Sequence, residues 1–258
     1  MVLICLAAPV KNMAYSIPLW WKAISNFDYP KKNIHIVLAE NDSIDSAPEL
    51  LSQIKKKHEE EYGSFKIFNL NFGMHHVRFW EERSGESDLW KFVKAWLFIH
   101  NDIFIQYAKD HDCKYILEIH PDVELPANTI KSFLNVYEKF DNASYVSAPV
   151  NRRGTSDYAV FKLVKVSIPK PHRIFGDAFN ETETLRWMPV WQEFAEDVYE
   201  GLQSVGNWMI PTELNDKHRF TYHPDDINIS YQVKARREGY IEYLDARIRG
   251  KHHDRPKT

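Results

Sequence analysis

His120 and Asp122 stand two residues apart, directly after the apolar run Tyr115–Ile119. An imidazole and a carboxylate so placed can hold a divalent ion that bridges two phosphates. The plainer alternative is a strand-end turn with exposed polar groups. A second group, Glu40, Asn41, Asp42, Ser43 and Asp45, follows the apolar run Ile34–Ala39. Its acids and amide can accept hydrogen bonds from a base or a ribose; the same residue types also build turns and cap helices. The third group is the adjacent pair Asp225 and Asp226, at the head of a helical segment. One of these carboxylates can take the proton of an attacking hydroxyl, or both can simply favour a helix start through its dipole. Towards the end of the chain, Arg247, Arg249, Lys251, His252 and His253 offer a metal ligand and a phosphate clamp, with a frayed basic tail as the competing reading.

These groups need a frame that brings them to one edge. Tyr115–Ile119 is short and apolar, the pattern of an interior parallel strand. Pro121 then denies the ladder a donor, and the chain must leave the sheet. Glu118 is the awkward residue, because a carboxylate in a buried strand is costly unless paired or bound. Val2–Ala8, Ile34–Ala39, Phe65–Leu70 and Tyr145–Pro149 read as further strands. Between them, Ser16 and Pro18 open one helix, and Ser46 to Glu49 form a capping box ahead of Leu50–Glu61. Asp88 caps a long helix through Leu89, Phe92, Trp96, Ile99 and Ile103, and Ile130, Phe133, Leu134 and Tyr137 mark another. Strand–helix alternation of this kind predicts a largely parallel sheet with helices on both faces. Such sheets bind ligands beyond the carboxyl ends of their strands, where the first two groups fall.

Asn71–Asp88, with Gly73, His75, His76 and Gly85, reads as a loop able to close over a ligand. From Asn151 the alternation breaks. Tyr158–Ile168 reads as one or two β segments, Pro169–Pro189 as irregular, Val190–Leu202 as a helix and Val205–Ile210 as a strand. A helix from Asp225 to Glu238, stopped by Gly239, and a strand Tyr240–Leu244 complete the pattern. No linker separates independent domains. The expectation is one α/β domain over 1–258, with a ligand-binding half at 1–150 and a second half at 151–258.

The bulk properties narrow the classes. At 258 residues the chain can bury one sizeable core, and 44% apolar with 27% charged residues is ordinary for a globular protein. A net charge of −3 gives no global field for nucleic acid or membrane. The charge is uneven: Lys234–Thr258 carries eight Lys/Arg against four Asp/Glu, hence +4, which leaves −7 for the remainder. A cationic end on a mildly acidic body suits capture of a phosphate group. Aromatics reach 14%, with eight Trp, which suits stacking on flat or sugar-like ligands or simply a core of large side chains. Cys5 and Cys113 give no disulfide framework and read as buried thiols of a reducing compartment, so the expected location is the cytoplasm. Met1–Val10 lacks a cationic start and is too short to span a bilayer.

Taken in order, these residues resemble the GT-A-type glycosyltransferases, close to the large inverting group that uses nucleotide-sugar donors. Pro9-Val10-Lys11-Asn12 looks like that family's first strand-end turn, and Asn41-Asp42-Ser43-Ile44-Asp45 like its acidic turn. Tyr115–Pro126 resembles the stretch that carries the Asp-x-Asp signature, with His120-Pro121-Asp122 in its place. Asp225-Asp226, Arg236-Arg237-Glu238-Gly239-Tyr240 and His252 resemble the acidic pair, the following helix end and the terminal His. The resemblance implies a GT-A-like α/β/α sandwich with an acceptor-side region at its C-terminal end. It implies a UDP- or GDP-sugar donor held by Pro9, Asn12, Glu40, Asn41, Ser43, Asp45, Lys91 and Arg249, and a glycan, protein or lipid acceptor. It further implies a divalent metal, Mn2+ rather than Mg2+, on Asp122, His120 and His252, and Asp226 as general base supported by Asp225. His120 departs from the signature, whose first residue is Asp. A sugar nucleotidyltransferase and a non-catalytic binding protein are the alternatives; the first would want a Gly-rich basic loop after the first strand, and Ala7–Asn12 contains no Gly.

Overall fold

The computed structural model describes residues 1–77, 85–151, 155, 157–167, 183–190, 194–223 and 227–254. In chain order the elements are β1 (Ile4–Val10), α1 (Ile17–Ser25), β2 (Ile34–Asn41), α2 (Ala47–His58) and β3 (Ser64–Leu70). Then come α3 (Gly85–Phe98), a π-helical turn (Ile99–Phe104) that continues into α4 (Ile105–Asp110), β4 (Tyr115–Ile119), β5 (Val123–Glu124), α5 (Thr129–Lys139) and β6 (Ala143–Ser147). The remainder is β7 (Val160–Ser167), β8 (Glu183–Pro189), β9 (Val198–Glu200), β10 (Leu202–Ser204), β11 (Asn207–Pro211), α6 (Thr212–Lys217), α7 (Ile227–Arg237), β12 (Ile241–Asp245) and β13 (Lys251–His252).

Eight strands form one sheet in the order β3-β2-β1-β4-β11-β6-β12-β9. β11 runs antiparallel to both β4 and β6, and β9 antiparallel to β12; the others are mutually parallel. The inner strands β1, β2 and β4 are largely apolar on both faces, as burial under two helix layers requires. One face packs Leu6, Ile36, Leu38, Leu117 and Ile119 against Trp20, Trp21 and Phe133. The other packs Cys5, Ala7, Val37 and Ile116 against Ile99, Ile103 and Phe104 of the long helix. Trp20 also donates its indole N–H to the Ile119 carbonyl at 3.2 Å, which fixes the end of β4. Among the described residues no helix is long and apolar enough to cross a membrane.

Several local expectations change. β1 continues through Pro9 to Val10, beyond its last pair with β4 at Ala7. Val190–Leu202 is not a helix: β9 lies within it, bound to β12, and Leu202 opens β10. Sheet pairing there overrides a local pattern that a helix would also satisfy. The described part of Pro169–Pro189 contains β8, the antiparallel partner of β7. α3 begins at Gly85, so Asp88 lies inside its first turn. Neither Ser16 nor Ser46 makes a side-chain cap bond; Ser16 turns back to the Met13 carbonyl, and Asp45 takes the Ala47 N–H instead.

Candidate active site

The turns that follow β1 and β2 are tied to each other. Asn12 has φ 53°, a left-handed conformation that Asn tolerates better than most residues. Its Oδ1 accepts the Ile44 N–H at 2.8 Å, and its own N–H donates to Ser43 Oγ at 2.9 Å. Asp45 accepts Ala14 N–H at 2.9 Å and Ala47 N–H at 3.0 Å through its two oxygens, and Glu40 accepts Ser43 N–H at 3.0 Å. Four predicted donor-binding residues therefore come together, but with side chains engaged in holding the two loops.

Asp42, one of the acidic turn but not among the residues assigned to the donor, is the hub of this edge. It is buried, sits at φ 52°, and accepts the N–H groups of Phe72 and Gly73 at 3.1 Å. His75 Nε2 approaches it to 3.4 Å, and Asn41 Nδ2 to 3.5 Å. Lys11 spans the same gap by donating to the carbonyls of Asp42 and Met74 at 2.9 and 3.0 Å. Burial lowers the Lys11 pKa, against the raising effect of Asp42, Glu40 and Asp45. Positive φ at Asp42 was the hidden signal, and a sequence does not display φ.

At the end of β4, Val123 N–H bonds the His120 carbonyl at 2.9 Å and closes a turn over Pro121 and Asp122. The Asp122 side chain is 1% exposed. The basic tail returns here: β13 pairs antiparallel with β5, setting His252 opposite Val123 and Lys251 opposite Glu124. That register brings His252 Nε2 to 3.2 Å from Asp122 Oδ2. The Asp122 carbonyl accepts His253 N–H at 2.7 Å, and Asn151 Oδ1 accepts His252 N–H at 2.8 Å. His253 Nε2 lies 3.1 Å from Glu124 Oε1. Residues 130 positions apart in sequence thus meet as a buried carboxylate and an imidazole.

His120 departs from the expected trio. Its Nε2 faces Glu118 Oε1 at 3.3 Å, while His100 reaches Glu118 Oε2 at 2.9 Å. Burial works to raise the Glu118 carboxyl, but His100 and His120 outweigh it and hold it below the usual carboxylate range. This resolves the awkward acid of the sequence: Glu118 is paired. His100 had no sequence signal, since it is the first of three consecutive polar residues, His100, Asn101 and Asp102, inside a helical run.

Among the described residues no three His, Cys, Asp or Glu side chains gather as an ion cage. Asp122 and His252 still fit a small divalent cation, which takes one or two protein ligands and fills its other positions with phosphate oxygens and water. Lys91 is exposed on α3, and Pro9 lies half-buried in β1. Arg249 is turned to β7-side residues, donating to Tyr158 Oη at 3.2 Å and to the Phe194 carbonyl, so it does not join the Asp122 corner. Asp225 and Asp226, like residues 78–84 of the loop read at Asn71–Asp88, lie outside the described residues.

No family model matches the chain, and no curated protein matches it. Solved structures do. S. aureus TarS 1-349 in complex with UDP-GlcNAc superposes with a TM-score of 0.53 at 14% identity, over 99% of this chain and 60% of that one. The mannosyltransferase PcManGT from Pyrobaculum calidifontis, in complex with GDP-Man and Mn2+, gives 0.55 at 14% identity, over 98% and 57%. GalNAc-T7 with UDP, GalNAc and Mn2+ gives 0.59 at 13% identity, over 98% and 44%. The chain therefore spans 44–60% of the length of these neighbours. Its fold, an eight-stranded and mostly parallel sheet between helical layers, is of the GT-A type.

Proposed function

We propose that this chain is a glycosyltransferase that moves a hexosyl group from a nucleoside diphosphate sugar to an acceptor hydroxyl with inversion. The observation that carries the reading is the meeting of Asp122 with His252 at the carboxyl edge of a GT-A-type sheet. It is supported by neighbours of the same fold whose structures are complexes with UDP-GlcNAc or GDP-Man.

In this reading Asp226 accepts the acceptor's proton as its oxygen attacks the anomeric carbon. The bond from that carbon to the diphosphate breaks, and the electron pair leaves with the diphosphate. Asp122 and His252 would hold a divalent ion, which supplies positive charge to the leaving diphosphate when bound. An imidazole ligand suits Mn2+ better than Mg2+. Asp225 supports the base. The knitted turns at Asn12, Asn41, Asp42 and Asp45 form the floor for the nucleoside.

Incubation with a panel of UDP- and GDP-sugars, with Mn2+, with Mg2+ or with chelator, tests the proposal. Slow metal-dependent release of nucleotide from one donor, abolished in Asp122→Asn, is the expected result. Binding without turnover of any donor would sink it. Asp226→Asn should abolish transfer while leaving donor binding intact, and near-normal turnover would remove Asp226 from the role of base.

A further inference from the structure

Beneath the candidate site lies a buried pair that the proposed chemistry does not use. Glu118 and His100 are 1% and 2% exposed, in a setting where an unpaired charge is strongly unfavourable. His100 sits in the π-helical turn Ile99–Phe104, a rare form of helix that recurs at functional positions. Both of its ring nitrogens are hydrogen-bonded. Nδ1 lies 2.8 Å from the carbonyl oxygen of Trp96, one turn back along the helix. Nε2 stands astride the Glu118 carboxylate, 3.1 Å from Oε1 and 2.9 Å from Oε2. A backbone carbonyl only accepts, so Nδ1 carries a hydrogen. An ionised carboxylate only accepts as well, and Nε2 facing it must then carry another. A neutral imidazole has a single N–H and cannot serve both.

The surroundings favour the charged ring. Trp96 stacks on His100 with centroids 4.7 Å apart and 15° between the planes, and Trp208 stacks less closely at 6.4 Å and 22°. Phe104 and Phe220 stand steeply to the same ring, at 5.4 and 5.3 Å. An indole face attracts a cation held within about 6 Å of it, more strongly away from water. Burial by itself would neutralise Glu118, yet the charge of His100 leads the influences that keep its carboxyl below the usual range.

We propose that His100 is a resident imidazolium: a buried cation, hydrogen-bonded at both nitrogens and stacked on two indoles, that balances the Glu118 carboxylate and fastens the π-turn to β4. The proton is then part of the fold. It explains how a sheet strand tolerates an acid in its interior without any ligand. It also removes Glu118 from the acids able to act at the candidate site, because its charge is already balanced from below. Trp96 and Trp208, which the cation holds, are the two rings that stand against His120, at 5.8 and 5.5 Å. The inference does not depend on the donor chemistry proposed above.

The test uses the full chain, labelled with 15N-histidine, at about pH 8, above the ordinary His pKa of about 6.5. Long-range proton–nitrogen spectra should show both nitrogens of His100 protonated. A single N–H on that ring overturns the proposal, whether Glu118 beside it is ionised or has taken the proton itself, and this measurement needs no variant. In Glu118→Gln, which removes the charge and keeps the shape, His100 should show one N–H at the same pH; two would overturn the role given to Glu118. Heat denaturation supplies a further reading. His100→Phe and Glu118→Leu each leave one buried group without its partner and should each lower the thermal midpoint by about 6–20 °C. The double variant buries neither charge, and its midpoint should lie above those of both single variants. Losses that simply add overturn the pairing. None of these readouts involves a nucleotide sugar, so failure of every donor tests only the function proposed above.

Discussion

Two turns of this molecule are made of the same residue types, at the same edge of the same sheet, and behave differently. After β2, Glu40, Asp42 and Asp45 direct their carboxylates onto backbone N–H groups of their own and neighbouring loops. After β4, Asp122 is as buried as Asp42 but faces the imidazole of His252, which arrives from the far end of the chain. An acid that satisfies backbone donors is part of the frame. Asp42 keeps that role even with His75 Nε2 3.4 Å away, because its oxygens accept the Phe72 and Gly73 N–H groups, whereas Asp122 lies 3.2 Å from a histidine that β13 delivers to it. Strand-end location and composition do not separate the two roles; the partner does.

Substitutions can break or sharpen that contrast. The largest effect is expected at Asp122→Asn: kcat/KM for transfer should fall by about 100–1000-fold, about 2.7–4 kcal/mol of barrier, the scale of losing one preorganised electrostatic partner. Its thermal midpoint should stay close to that of the parent, and a large stability loss without a rate loss would erase the distinction between the turns. Asp42→Ala should do the reverse. It strands two backbone donors and leaves alanine at a positive φ, so chemical denaturation should register a loss of about 2–3 kcal/mol. Asp42→Asn, which keeps an acceptor and tolerates the left-handed conformation, should recover part of it. At Asp45→Ala the same measurement should give about 1 kcal/mol, the usual cost of a lost helix cap. Ser46→Ala should change stability by less than about 0.5 kcal/mol, because Ser46 makes no cap bond. A Ser46 effect larger than that of Asp45 would reverse the assignment of the cap.

Much of the donor-side half was legible because its signals are local. Each of its strands is a short apolar run, and each helix repeats its apolar residues at helical spacing, so the βα alternation from Ile4 to Ser147 could be read directly. The region after Asn151 was harder. β9 and β10 are three residues long and pair with β12 and β7, so nothing local within 190–204 marks them as strands. The candidate site divides in the same way. Asp122 stood out by its place after an apolar strand, whereas His100 lies inside an ordinary helical pattern and becomes meaningful only against Glu118.

By itself the sequence determined the class of the sheet, the edge at which polar groups collect, and the residues able to take part in metal or proton chemistry there. Periodicity and strand-end prolines act within a few residues, and a linear reading captures them. Only the tertiary structure decided which acids support loops, that His252 and not His120 meets Asp122, and that Glu118 is held by two imidazoles. Those outcomes depend on the β13–β5 register and on a π-turn in the long helix, which bring together groups that have no local means of announcing each other.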